Sequence, residues 1–127
     1  MTNKVINLNY AQMWLDEDVI MRLVYSQGTE VTLKEAREIG SILQELSQGK
    51  KKPLLTDARL LKNINREARV YWESEEATQT ISATTGLSTP LSKMLGAMYS
   101  RLNRPPLEIK YFSSEVDALE WLKGFVE

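Results

Sequence analysis

The chain contains no cysteine and no histidine. Without cysteine there are no disulfides, thiolate metal sites or cysteine nucleophiles, and a reducing compartment suits the chain. Without histidine the commonest metal ligand and general base are missing. A catalytic site would need a carboxylate, lysine, serine or tyrosine activated by its surroundings, and no spacing marks one. The chain is therefore read as a non-enzyme, with no cofactor or metal site. No apolar run approaches the ~20 residues of a membrane helix. Met1-Thr2-Asn3-Lys4 lacks the apolar core of a signal peptide. The expected location is the cytoplasm, with no integral membrane segment. The net charge is only -1, which argues against a broad phosphate-binding surface and against nucleic acid as a partner.

What is present is ordinary for a globular protein: 127 residues, 43% hydrophobic and 26% charged. That length suits one domain with a real core, and no repeat, low-complexity segment or linker divides residues 1–127. The C-terminal part, Ile81 to Val126, reads strand, helix, strand, helix. Ile81, Ala83, Thr85 and Leu87 alternate with small or polar residues. Thr89-Pro90 opens a helix, because proline at the first helical position wastes no backbone donor. Leu91, Met94, Leu95, Met98 and Leu102 form its apolar stripe. Leu107 to Phe112 is the next strand, and Ser113-Ser114-Glu115 starts a last helix with Ala118, Leu119, Leu122 and Phe125 inward. Such crossovers pair parallel strands.

Earlier in the chain, Lys4 to Tyr10 reads as a strand, continued or paired by Gln12 to Leu15. Asp16-Glu17-Asp18 is a polar hairpin turn; a cation site would need more oxygen ligands at defined spacing. Val19 to Tyr25 returns, with Val19, Met21, Leu23 and Tyr25 on one face and Ile20, Arg22 and Val24 on the other. Both faces are largely apolar, which leaves a homodimer open beside the plainer reading of a hairpin covered by the chain's own helices. Thr32-Leu33-Lys34-Glu35 is a capping box. The helix behind it carries Ala36, Ile39, Ile42, Leu43 and Leu46 on one face. Gly40 near that face either allows close approach to the sheet or is merely tolerated. Gly49 suits the end of the helix, and Lys50-Lys51-Lys52 complements its dipole. Pro53 starts a strand to Ala58. Arg59 to Ile64 connects it to a helix capped by Asn65 and containing Ala68, Val70, Tyr71 and Trp72. Ser74 opens a further short turn. The sum is an α/β domain with a mixed sheet and flanking helices, placed on one side of it.

Ser88-Thr89-Pro90-Leu91-Ser92-Lys93-Met94-Leu95-Gly96, then Asn103-Arg104-Pro105-Pro106, Phe112 and Ala118-Leu119-Glu120-Trp121-Leu122 resemble bacterial SpoIIAA-like proteins. These belong to the wider STAS class (sulfate transporter and anti-sigma-factor antagonist). The resemblance implies a mixed sheet flanked by helices and a binding or regulatory role. The regulatory STAS proteins carry an Asp-Ser-Ser/Thr-Gly motif at the start of the helix after a central strand, and a kinase phosphorylates its second hydroxyl. Here the nearest stretch is Asn65-Arg66-Glu67-Ala68, with no hydroxyl. Glu67 takes the phosphorylated position and carries a fixed single charge.

Two sets of residues are candidates for a site. Asp57 and Arg59 stand at the C-terminal end of a parallel strand, where open α/β sheets bind ligands. With the Thr89 and Ser113 helix starts and Lys93 one turn inside, they sketch a small anionic pocket. The plainer reading makes Thr89 and Ser113 ordinary caps and pairs Asp57 with Arg59. The second set is Asn65, Arg66, Glu67, Tyr71 and Trp72 with the neighbouring Thr89 cap, a surface for a protein partner, since interfaces are rich in aromatics. The plainer reading there is core packing for the aromatics, and a surface salt-bridge set for Arg66, Arg69 and Glu73. The favoured function is a regulatory module working through protein–protein interaction without the phosphoswitch. The alternative is a carrier of a small apolar or anionic ligand, as distant lipid-carrying relatives of this fold suggest.

Overall fold

The computed structural model describes residues 4–87, 108–112 and 114–126. The chain starts with an antiparallel meander, β1 (Ile6–Asn7), β2 (Ala11–Leu15) and β3 (Met21–Tyr25). β4 (Glu30–Val31) leads into α1 (Leu33–Ser47), and β5 (Lys52–Asp57) follows. β6 (Asn63–Ile64) leads into α2 (Arg66–Trp72) and α3 (Glu75–Thr78). β7 (Ile81–Leu87), β8 (Glu108–Tyr111) and α4 (Glu115–Lys123) complete the described part. The main sheet has the order β1-β2-β3-β5-β7-β8, and all its pairings from β3 onward are parallel. The expected parallel strands near Pro53, Ile81 and Leu107 are thus β5, β7 and β8. The crossover helix expected after Thr89 lies outside the described residues, as do Lys93 and Ser113.

The hairpin turn is built by Asp16. Its Oδ1 accepts from the amides of Asp18 (2.9 Å) and Ile20 (3.0 Å). The tightness of this turn leaves Val19 at φ 64°, a conformation that β-branched residues rarely adopt. Val19 therefore belongs to the turn rather than to the return strand. Arg22 follows on β3 and ion-pairs with Asp16 at 3.2 Å.

Helices cover both faces of the sheet, which corrects the one-sided arrangement expected above. Leu54 and Leu55 are consecutive in β5 and both buried, so this interior strand needs cover on each face. On the first face Met13, Met21, Leu23, Tyr25 and Leu54 pack with Ala36, Ile39 and Leu43 of α1 and Ala68 and Trp72 of α2. On the second, Ile20, Leu55, Ala83 and Leu87 pack with Ala118 and Leu122 of α4. The β5–β7 register runs from Lys52↔Ile81 to Leu54↔Thr84, so β7 carries one extra residue. That irregularity sends Ile81 to the first cluster and Ala83 to the second, because side chains otherwise alternate strictly. Met21, Leu23 and Tyr25 are covered by the chain's own α1.

Lys52, the last of the three lysines after α1, caps the helix. It is buried, and its ammonium donates to the carbonyls of Ser47 and of Lys50, the latter at 3.4 Å. The charge meets the negative end of the helix where the last carbonyls lack intrahelical donors.

Candidate functional site

A second, two-stranded parallel sheet positions the site. Glu30 pairs with Asn63 and Val31 with Ile64, and the Asn65 amide donates to the Val31 carbonyl at 2.9 Å. Each of these short strands runs directly into a helix, so the starts of α1 and α2 stand side by side. Thr32 and Glu35 close the expected capping box, with the Thr32 amide donating to Glu35 at 2.9 Å. The Thr32 hydroxyl, and after it this amide, hold the Glu35 carboxyl below the usual carboxylate range. Asn65 Oδ1 accepts from the Ala68 amide at 2.9 Å. Both caps are therefore occupied by the chain itself.

α2 has two distinct sides. Ala68 and Trp72, one turn apart, point into the core. Val70, halfway between them in sequence, is on the opposite side and is 58% exposed. Tyr71 turns sideways onto α1, where a Cβ on Gly40 would lie 2.2 Å from its hydroxyl oxygen. Gly40 thus admits the Tyr71 ring, not the sheet. The Tyr71 and Trp72 rings meet edge-on with centroids 5.5 Å apart. Burial, then the nearby Glu76 carboxylate, push the Tyr71 phenol up, and Arg37 opposes this.

Between the two helices lies a cleft of about 400 Å³. Leu33 and Arg37 of α1 form one wall; Arg66, Glu67, Val70 and Tyr71 of α2 form the other; Ser74 and Glu76 close one end. Arg37, Arg66, Glu67 and Glu76 are exposed. None of these four has an ion pair or hydrogen bond among the described residues. Arg69, expected on the same surface, instead donates to the Ile64 carbonyl at 3.0 Å.

The cleft thus brings together Arg66, Glu67 and Tyr71 of the expected surface, with Asn65 behind them as the cap. It does not include Trp72, which is 8% exposed and packs in the core. The expectation that Trp72 offers contact area is corrected: the one-turn spacing from Ala68 carries it inward. Sequence reasoning missed Leu33, Arg37, Glu76 and the exposure of Val70. At 100° per residue, Val70 falls roughly opposite Ala68 and Trp72, so the spacing held that signal once an inward side was chosen.

The other candidate group resolves differently. Arg59 Nε donates to Asp57 Oδ1 at 2.9 Å and Nη2 to Oδ2 at 2.7 Å, and the Arg59 amide also bonds Oδ1 at 3.1 Å. The Arg59 hydrogen bonds hold the Asp57 carboxyl below its usual range against the opposing effect of burial. The Nε–Nη2 edge of the guanidinium is thus taken up by the pair. Thr89, Lys93 and Ser113, the remaining members of that sketched anionic pocket, lie outside the described residues. Among the described residues no group of three or more carboxylates could hold a metal ion, and no helix is long and apolar enough to cross a membrane.

A mixed sheet with an antiparallel N-terminal edge and flanking helices is a SpoIIAA-like fold. The chain is similar to the crystal structure of an uncharacterized DUF3478-family protein with that fold from Shewanella loihica PV-4. The two are 16% identical with a TM-score of 0.61, over 95% of this chain and 92% of that one. Residues 13–126 match DUF7793, a domain of unknown function, and the chain belongs to that family. No curated protein matches it.

Proposed function

We propose that this domain is a non-catalytic interaction module that holds a protein partner at the α1–α2 cleft, without a phosphorylation switch. The observation that carries the reading is Val70, a large apolar side chain 58% exposed on a helix whose other side is core. Burying such a side chain on a partner is favourable, at about 25 cal/mol per Å² removed from water. The unpaired charges on the rim of the cleft supply specificity. The start of α2 is also the surface that the resembling regulators use, and here it reads Asn65-Arg66-Glu67-Ala68. Glu67 has a constant charge where those proteins add and remove phosphate.

The test compares the wild-type chain with Val70→Glu and Glu67→Gln in capture from a native extract. Both positions are exposed, so both variants are expected to keep the wild-type unfolding midpoint. Val70→Glu is expected to weaken capture at least about tenfold, the effect of losing one central apolar anchor. Glu67→Gln is expected to weaken it less. Full capture by both variants would move the interaction surface elsewhere. Phosphate on Ser74 of the native protein would contradict the absence of a switch. The second reading, carriage of a small ligand, draws on the cleft's volume of about 400 Å³, which falls in the range of small-molecule sites. Mass spectrometry of gently purified protein distinguishes it by a stoichiometric bound compound.

A further inference from the structure

We draw no further inference here: the strongest candidate, the α1–α2 cleft beside the exposed Val70, belongs to the site already described, and nothing in the structure shows what covers it.

Discussion

The two faces of the sheet are covered by helices of contrasting design. α4 is closed over its face. Ala118 and Leu122 are fully buried. Trp121 packs between Phe112 and Phe125, at centroid distances of 5.8 and 4.8 Å. Arg22, lying 5.2 Å over the Trp14 ring, reaches across to Glu115 at 2.9 Å, and Lys123 approaches Asp18 at 3.9 Å. Both ends of α4 are thereby tied to the hairpin. α2 is anchored as firmly underneath, by Ala68, Trp72 and the Tyr71 ring on Gly40. Yet Val70 is 58% exposed, and among the described residues Arg66 and Glu67 at the start of α2 have no ion pair. α4 ties its two ends to the hairpin while its outer side, with Val116 75% exposed, faces solvent; α2 turns its outer side toward a cleft shared with α1.

The largest expected effect tests the anchoring of α2. Trp72→Ala removes a buried ring from the core and is expected to cost about 3–5 kcal/mol. Trp121→Ala removes a partly exposed ring with two aromatic neighbours, for about 1–3 kcal/mol. Urea unfolding midpoints compare the two. A larger loss at Trp121 would reverse the contrast and make α4 the better-anchored helix.

A smaller effect sharpens the account of the α1–α2 seam. Gly40→Ala places a methyl group against the Tyr71 hydroxyl, with ring carbons next at 3.2 and 3.4 Å. The overpacking is expected to outweigh the gain in helix propensity and leave a net cost of about 1 kcal/mol. Because the oxygen is the closest atom, Tyr71→Phe in the Gly40→Ala background is expected to recover part of the loss, seen as a non-additive double-mutant cycle. A raised unfolding midpoint for Gly40→Ala alone would show that the seam is loose.

The smallest effect separates the Asp57–Arg59 pair from the cleft. Asp57 has its carboxyl depressed by Arg59. A depressed carboxylate adds stability above its unfolded pKa and loses it as pH falls through the folded value. Arg59→Gln is therefore expected to be slightly less stable than wild type at neutral pH, with the gap closing on acidification. Arg59 is 54% exposed, so solvent screening holds the gap below about 1 kcal/mol. Urea melts at neutral and acid pH measure it. A gap that persists in acid would mean that Arg59 acts by packing. Partner capture is expected to be unaffected, since the pair lies outside the cleft.

The elements that local chemistry specifies were legible in the sequence. Thr32 with Glu35 and Asn65 read as helix starts, and Ser74 as the start of a short turn, because each cap bonds an amide within three residues; that turn is α3. The hairpin turn at Asp16, the parallel strands and the local Asp57–Arg59 pair were legible for the same reason: their partners are near in the chain or their pattern is periodic. The division of Ile81 and Ala83 between the two faces depended on one extra residue in β7, and alternation alone does not show where a strand slips. The β4–β6 pair was hidden because two-residue strands have no period to read. The cleft followed from that pair, since only long-range pairing sets the start of α1 beside the start of α2. Which of Val70, Tyr71 and Trp72 faces out was likewise settled by the core that claimed Ala68 and Trp72. By itself the sequence determined caps, turns and the succession of the longer strands and helices, which depend on neighbours along the chain. The tertiary structure alone decided which aromatic is buried and which charges stand unpaired around one cleft, because burial and pairing depend on residues brought together from far apart.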